Sequence, residues 1–189
     1  YLWLILLTYP NFNKRNSILS LISTRNKILD QKNIIGAEIG VYRGDYSEQI
    51  LKHFDENKMN LNFFLIDQWI SDEKFNEYDS QNLESAFKYV KKRFINKRNI
   101  TILKKSSLDA SKEFTDEYFD FVYIDANHDY EFVLQDLNLW FPKIKKKGVL
   151  FGDDYNRPYG VHKAIAEFTF EKKLTVHFSD NGNQYYFLI

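Results

Sequence analysis

The most constraining feature of the sequence is a short apolar run that leads into a carboxylate and two glycines. Residues 34–47 read Ile-Ile-Gly-Ala-Glu-Ile-Gly-Val-Tyr-Arg-Gly-Asp-Tyr-Ser, and a segment with helical character, 46–54, overlaps their end. This order predicts a strand, a tight loop and the start of a helix. Glycines let a ligand approach the main chain, and the free amides of a helix start attract electron-rich groups. The stretch is therefore interpreted as a ligand-binding turn.

Glu38, at the end of this strand, indicates the kind of ligand. A dinucleotide pyrophosphate is disfavoured beside a carboxylate, whereas a ligand with an ammonium and a sulfonium group is favoured. A β-branched side chain at Gly40 is expected to enter the ligand's space and to affect binding more than folding. On this stretch alone, a cofactor loop and an ordinary two-glycine loop are equally compatible with the sequence.

Apolar runs alternate with helical segments along the rest of the chain. Further strands are predicted at 61–66, 100–103, 119–124 and 149–151, and helices at 83–94, around Ala110, at 131–140 and at 161–170. The alternation predicts an α/β fold with a mostly parallel sheet and helices on both faces, in which ligands bind at the carboxyl ends of the strands. Six polar residues fall at those ends: Glu38, Asp67, Ser106, Asp125, Asp153 and Asp154.

The C-terminal tail breaks this alternation. Two β-rich runs, 174–178 and 184–189, flank the pair Asn181-Gly182, which is a strong hairpin signal. We therefore expect a Rossmann-like, seven-stranded sheet that closes in an antiparallel C-terminal hairpin. Ordinary dinucleotide-binding domains lack such a hairpin.

The first 33 residues are expected to flank this domain. Residues 1–7 are apolar, but Pro10 ends the run at about a third of the length of a membrane-spanning helix, and no basic region of a signal peptide precedes it. A helix is expected at 17–29, packed beside the first strand. The predicted division is 1–33 for the flanking segment and 34–189 for the ligand-binding domain. Because residue 1 is Tyr and not Met, a longer or processed chain is expected.

Composition excludes several kinds of partner and site. Lys plus Arg total 26 and Asp plus Glu total 26, so no overall basic field recruits nucleic acid. The basic runs 91–93 and 145–147 are interpreted as solvated helix ends. With no cysteine, disulfides and thiolate zinc sites are excluded, and the chain is compatible with the reducing cytoplasm.

Five motifs together carry a family resemblance over residues 34–189. They are Glu38–Gly44, Ile66–Trp69, Phe121–Glu131, Asp136–Tyr155 and Gly160–Phe168. This combination resembles class I S-adenosylmethionine-dependent methyltransferases, in particular the group whose members often act on sugars and natural-product hydroxyls. Such families usually carry a second glycine before the fifth strand, where this chain has Lys147.

The resemblance implies a set of cofactor-binding residues. They are Glu38, Gly40, Tyr42, Gly44, Asp67, Gln68, Trp69, Ser106, Ser107 and Asp125. Glu38 and the glycines would hold the methionyl part, Asp67 the ribose, and the two serines would lie by the adenine. Two alternatives stay open: Asp67 caps the turn that follows it, and Trp69 closes the core instead of stacking on the adenine.

The resemblance also implies a divalent metal site. Asp125, Asp153 and Asp154 match positions that bind an ion in metal-dependent relatives, and three neighbouring carboxylates would repel one another unless an ion such as Mg²⁺ compensates them. The alternative is that Asp153 and Asp154 cap a loop while Asp125 faces the cofactor's ammonium. His128 is either a general base or a hydrogen-bonded loop histidine. The expected catalytic residues are His128, Asp125 and Asp153.

The sequence is therefore interpreted as an S-adenosylmethionine-dependent O-methyltransferase that acts on a hydroxyl, first of a sugar and second of a catechol-like compound. Its expected partner is a small-molecule or glycan acceptor, with no nucleic acid and no membrane span. Because no large insertion caps the site, a second copy of the chain or an adjoining domain is a candidate to complete the acceptor pocket. The polar loop 72–80 is expected to be a lid or a surface connection. The alternatives are a nicotinamide-dependent oxidoreductase and a non-catalytic module of a longer protein.

Overall fold

The computed structural model describes residues 17–70, 80–156, 160–179 and 182–189. The strands are β1 (Asn33–Ile39), β2 (Asn60–Asp67), β3 (Ile100–Lys104), β4 (Phe119–Ile124), β5 (Ile144–Gly152), β6 (His177–Phe178) and β7 (Tyr185–Leu188). The helices are α1 (Ser17–Ile28), α2 (Asp45–Glu56), α3 (Ser80–Phe94), α4 (Ser107–Ser111), α5 (Tyr130–Trp140) and α6 (Gly160–Lys172), and a 3₁₀ turn covers Phe141–Lys143.

The strands form one sheet in the order β3-β2-β1-β4-β5-β7-β6. Strands β1 to β5 run parallel to one another, whereas β7 runs antiparallel to β5 and β6. The predicted Rossmann-like sheet with an antiparallel C-terminal hairpin is therefore confirmed. The chain builds outward from β1 to β3 and then returns to β4 on the other side of β1. The carboxyl ends of β1 and β4 thus form the switch point at which parallel sheets bind ligands.

Helices cover both faces of the sheet and give each face its own hydrophobic core. Helices α1, α2 and α3 contribute to one core, and α4, α5 and α6 to the other. Strand β4 is buried along its whole length: Tyr123 belongs to the first core, while Val122 and Ile124 belong to the second. This alternation is the ordinary consequence of side chains pointing to opposite faces of a strand. The two cores hold the strand ends in fixed positions.

Helix α1 and the start of the sheet are joined through the buried carboxylate of Asp120. Gln31 Nε2 and the backbone N of Ile35 donate to it at 2.8 Å each, and Lys145 Nζ donates at 3.0 Å. Apolar residues of α1 share a core with Ile34 of β1, as the sequence predicts. These contacts tie the segment after α1 to β1, β4 and β5. The division of the chain at residue 33 stays a prediction.

The interpretation of residues 145–147 as a helix end is wrong, because they lie in β5. The register between β4 and β5 shifts between Phe119 and Phe121, and Lys147 has a φ of 67° there, so the strand bulges. Lys145 pairs with Asp120, whereas Lys146 and Lys147 are exposed. The other basic run, 91–93, does lie in the last turn of α3.

Across the four described ranges, no helix is both long enough and apolar enough to cross a membrane. Two expectations lie outside the described residues. They are the apolar stretch at 1–7 and, except for its last residue, the polar loop at 72–80.

Candidate active site

The carboxyl ends of strands β1 to β5 surround a cleft of about 1190 Å³. Pockets for one drug-sized ligand measure roughly 300–1,000 Å³, so the cleft is large enough for a ligand of that size. Eleven of the predicted site residues line it: Glu38, Gly40, Tyr42, Asp67, Gln68, Ser106, Ser107, Asp125, His128, Asp153 and Asp154. The other two, Gly44 and Trp69, lie outside the lining.

Gly40 allows the loop after β1 to approach the loop after β4. Its φ is 87°, and a Cβ at this position would lie 2.1 Å from the carbonyl oxygen of Asp125 and 2.6 Å from the Cα of Ala126. A side chain would therefore strike backbone and not only a ligand. These contacts argue against the expectation that Gly40→Val affects binding more than folding, which stays a prediction, because the substitution would force the two loops apart.

The end of α3 supports the glycine loop from behind. Gly44, with a φ of 73°, precedes α2, and a Cβ there would lie 2.8 Å from the ring of Phe94. Arg93 donates to the carbonyl oxygen of Arg43 at 3.1 Å and to Asp45 Oδ1 at 2.6 Å. Gly44 thus serves the turn and its packing against α3.

Asp67 holds the same loop from the side of β2. Its Oδ2 accepts from the backbone N of Val41 at 2.9 Å and of Tyr42 at 2.8 Å, and its Oδ1 accepts from the backbone N of Trp69 at 2.8 Å. The capping alternative is therefore present in the structure. Because a carboxylate oxygen accepts about two hydrogen bonds, Oδ1 keeps capacity for a ligand hydroxyl.

Trp69 closes the core, which is the second of its two alternatives. It is 2% exposed, its Nε1 donates to the carbonyl oxygen of Tyr42 at 2.8 Å, and its ring packs 4.9 Å from that of Phe87. The indole therefore supports the glycine loop from within and does not present its face to the cleft.

Glu38 brings a buried carboxyl group to the lining of the cleft. It is 2% exposed and accepts a hydrogen bond from Ser47 Oγ. Burial raises the pKa of Glu38 well above its ordinary value, and the negative charges of Asp125, Asp67 and Asp45 raise it further against the opposing hydrogen bond from Ser47. A cation beside Glu38 would favour the ionised carboxylate.

Asp125, His128 and Asp154 form a cluster at the ends of β4 and β5. His128 Nε2 lies 2.9 Å from Asp154 Oδ2 and 3.5 Å from Asp125 Oδ1. One ligand atom from each of the three side chains lies within 4.8 Å of the other two. Atoms that bind one divalent ion at roughly 2.0–2.5 Å can be about this far apart, so the spacing is compatible with a shared cation.

Asp153 does not belong to this cluster. It is 5% exposed, and its Oδ1 accepts from the backbone N of Asp154 at 2.9 Å and from the side-chain amide of Asn183. The hydroxyl of Tyr123 lies 3.3 Å from its Oδ2. The cluster that could share an ion thus contains His128 with Asp125 and Asp154, and the predicted metal set of Asp125, Asp153 and Asp154 stays a prediction.

Tyr123 is one of two site residues that sequence reasoning missed. Its hydroxyl donates to Asp125 Oδ2 at 2.9 Å. Burial and then the charges of Asp125 and Asp153 raise the pKa of Tyr123 well above its ordinary value, so the hydroxyl keeps its proton and remains a donor. The signal was available: Tyr123 precedes Asp125 by two residues and therefore points to the same face of the strand.

Asp136 is the second missed residue. It lies in α5, is 4% exposed, lines the cleft and accepts a hydrogen bond from Ser107 Oγ. Burial raises the pKa of Asp136 to about 7, against the opposing hydrogen bond. The sequence does indicate that Asp136 is buried. At helical spacing Asp136 falls within the apolar stripe of Val133, Leu137 and Trp140, where a buried side chain is predicted.

Comparisons with known proteins agree with this arrangement. The solved O-methyltransferase NovP is 16% identical to the chain and superposes with a TM-score of 0.67, covering 90% of this chain and 78% of that one. A putative caffeoyl-CoA O-methyltransferase from Staphylococcus aureus is 17% identical, with a TM-score of 0.58 and coverages of 91% and 83%. An O-methyltransferase from Bacillus cereus in complex with SAH is 14% identical, with a TM-score of 0.54 and coverages of 95% and 84%. These likenesses show a shared fold.

The sequence comparisons identify the family. No curated protein matches the chain significantly. A family model described as a methyltransferase domain matches residues 37–155, which is well over half of the chain and includes the ends of all five parallel strands. The predicted resemblance is thereby confirmed over the alternative of a nicotinamide-dependent oxidoreductase, and the chain belongs to the methyltransferase family.

Proposed function

We propose that the protein transfers the methyl group of S-adenosylmethionine to a hydroxyl oxygen of a small molecule or glycan. The charge of the cleft carries this proposal. Among the described residues that line it, two are basic, Arg43 and Lys105, and eight are acidic: Glu38, Asp45, Asp67, Asp125, Asp129, Asp136, Asp153 and Asp154. The whole chain has equal numbers of acidic and basic residues, so the acids are concentrated here. Such a cleft favours an ammonium and a sulfonium group and repels a pyrophosphate.

The residues present fit the parts of this cofactor. Glu38 and Asp125 lie at neighbouring strand ends, where their carboxylates would bind the ammonium group. Asp67 Oδ1 has capacity for a ribose hydroxyl, as its own contacts leave it one acceptor position. Ser106 Oγ caps α4 through the backbone N of Asp109 at 3.1 Å, so Ser107 is the serine we assign to the adenine side.

We also propose a divalent ion at Asp125, His128 and Asp154. An imidazole with two carboxylates suits Mn²⁺ or Fe²⁺, whereas Mg²⁺ prefers oxygen ligands alone, so this proposed ligand set favours Mn²⁺ or Fe²⁺ over the magnesium expected from the sequence. When bound, the ion would stabilise the negative charge that develops on the acceptor oxygen.

Without a bound ion, His128 is the proposed general base, because its Nε2 atom cannot ligate an ion and accept a proton at the same time. As the acceptor oxygen attacks the methyl carbon, an O–C bond forms, the S–C bond breaks, and the hydroxyl proton passes to His128 Nε2. Asp154 Oδ2, 2.9 Å from that nitrogen, would stabilise the imidazolium that results. The reaction is an in-line displacement, so the chain contributes chiefly by aligning the acceptor with the methyl group.

A sugar is the acceptor we favour, because the lining near His128 is polar. Asn127, Asp129 and Asn183 line the cleft on this side, and their side chains offer the donors and acceptors that a polyol needs. An aromatic acceptor would require an apolar surface here. The sugar hydroxyl that accepts the methyl group must lie within hydrogen-bond reach of His128.

Labelled S-adenosylmethionine tests the proposal. The protein is incubated with it and a panel of sugars, glycans and phenols, with chelator, Mn²⁺ or Mg²⁺. We expect label transfer to a sugar, loss of transfer on chelation and its return with Mn²⁺. His128→Ala should lower the rate by about 100- to 10,000-fold while it retains cofactor binding. Calorimetry is the parallel measurement: binding of NAD in place of the demethylated cofactor would contradict the proposal.

A further inference from the structure

A group of aromatic side chains lies beyond the cleft, after the end of β5, and the proposed reaction does not use it. Tyr155 directly follows Asp154, and its ring centroid lies 4.4 Å from that of Phe178 and 5.0 Å from that of His162. Phe178 is 40% exposed, His162 is exposed, and Tyr155 is half-buried. We call these three residues the aromatic patch. Apolar side chains exposed singly need no explanation, whereas a contiguous group of them marks a binding surface.

The register of the strands places the aromatic patch at the same end of the sheet as the cleft. Phe178 pairs with Tyr185, and Tyr185 pairs with Gly152, the last residue of β5. Because neighbouring strands are about 4.8 Å apart, Phe178 lies about 10 Å from Gly152 along this row. Two residues after Gly152 comes Asp154, which contacts His128. The patch therefore adjoins the cluster to which we assign the chemistry.

Polar groups connect the aromatic patch with the cleft. The backbone N of Tyr155 donates to the carbonyl oxygen of Asn183 at 2.9 Å, and Asn183 lines the cleft, where its side-chain amide donates to Asp153. Asn156, the residue after Tyr155, is exposed. Aromatic rings, amides and carboxylates therefore follow one another along this edge of the site.

This combination of groups suits a sugar ring. A pyranose carries C–H groups on its faces and hydroxyls around its rim. The face of an aromatic ring is partly negative and attracts the C–H groups, while amides and carboxylates bind the hydroxyls. A lipid chain or an apolar peptide would bury those amides and carboxylates without giving them hydrogen bonds, which is unfavourable.

We propose that the aromatic patch binds a second sugar unit of the acceptor, so that the protein methylates a glycan chain in preference to a single sugar. The inference rests on the proposed function and narrows its acceptor class. The unit that receives the methyl group lies beside His128, and the next unit lies against Tyr155 and Phe178. These contacts are the same before and during methyl transfer, so they lower KM for the acceptor and leave kcat unchanged.

Pairs of acceptors test this preference. Initial rates with labelled S-adenosylmethionine are measured for the methyl glycosides of glucose, galactose and mannose and for the matching disaccharides. The wild type is expected to show a KM about 3- to 10-fold lower for the best disaccharide than for its methyl glycoside. Phe178→Ala should raise the KM for the disaccharide by this factor and so abolish the preference. Phe178→Trp keeps an aromatic face and should retain it.

A matched control removes the same kind of side chain from another surface. Phe170 in α6 is 86% exposed and lies outside the aromatic patch, so Phe170→Ala should keep the wild-type preference. Phe178→Leu replaces the alanine variant if that variant does not fold.

Three results would overturn the inference and leave methyl transfer to a hydroxyl intact. They are a wild-type KM that is no lower for the disaccharides than for the methyl glycosides, an undiminished preference in a folded Phe178→Ala or Phe178→Leu variant, and transfer to phenols alone. Transfer to no hydroxyl compound of any kind would overturn the proposed function and the inference together.

Discussion

The most direct test of the buried charge at the cleft is Asp136→Asn, which keeps the shape of the side chain and removes its ionisation. Burial raises the pKa of Asp136 from its ordinary value of 3.8 to about 7 in the folded protein. The folded state therefore binds a proton more tightly than the unfolded state does. Such a group stabilises the fold below its unfolded pKa and loses that contribution as the pH rises through its folded pKa.

The size of the effect follows from the two pKa values. Between pH 5 and the folded pKa of about 7, the wild type loses about 1.36 kcal/mol for each pH unit, or about 3 kcal/mol in all. The asparagine variant lacks this loss. The free energy of unfolding of the variant, measured relative to the wild type, should thus rise by about 3 kcal/mol from pH 5 to pH 8. Burial lowers the pKa values of His53 and His177. Both histidines are present in the wild type and in the variant, so their contributions to the pH dependence of unfolding cancel in the difference.

Urea unfolding at pH 5, 6, 7 and 8 measures this difference, with Glu131→Gln as the control for removing a negative charge from α5. A difference that stays constant within about 0.5 kcal/mol across this range would refute the reasoning. It would mean that Asp136 ionises in the folded protein as freely as in the unfolded chain, and hence that water or a cation reaches it.

Three further predictions concern the rest of the cleft. Gly40→Ala should lower the free energy of unfolding by at least about 2 kcal/mol more than Gly182→Ala in urea titrations. Both glycines have positive φ, but among the described residues a Cβ at Gly182 meets no atom closer than 4.0 Å. Equal losses would show that φ alone matters. Binding of the cationic cofactor should release protons and become tighter as the pH rises, because the cofactor favours the ionised form of Glu38, whose pKa is raised in the free protein. Calorimetry in two buffers of different ionisation enthalpy measures the number of protons released. Glu38→Gln should abolish this proton release. Asp154→Asn should lose activity that excess Mn²⁺ partly restores. The activity lost in Asp153→Asn should not respond to metal, because Asp153 lies outside the cluster with His128. Identical responses of the two variants to metal would indicate that Asp153 is a metal ligand.

The sequence was sufficient to predict where the polar residues gather. Glu38, Asp67 and Asp125 each follow an apolar run, and parallel strands bring such positions to one edge of the sheet whatever the details of packing. The C-terminal hairpin could also be predicted from the sequence, because an Asn-Gly pair between two β-rich runs favours a hairpin turn. Predictions of this kind succeed because they depend on periodicity and chain direction alone.

Other features depended on contacts between distant parts of the chain. Trp69 had two plausible environments, and its choice of the core depends on the carbonyl oxygen of Tyr42 and the ring of Phe87. The lysines at 145–147 resemble a helix end locally, but the register shift between β4 and β5 and the pairing of Lys145 with Asp120 place them in a strand. The residues that surround Trp69 and Lys145 in the sequence do not indicate which distant residues these side chains contact.

Asp153 and Asp154 differ in their hydrogen bonds, although they are neighbours in the sequence. Both carboxylates are suited to an ion, but the side chain of Asn183 and the backbone N of Asp154 donate to the carboxylate of Asp153. Asp154 has a φ of 59°, and its carboxylate lies beside His128. The buried acid therefore holds the turn after β5 in the shape that presents the other acid to the cleft. Substituting Asp153 should consequently act on activity through the position of Asp154, which explains why its loss is not expected to respond to metal.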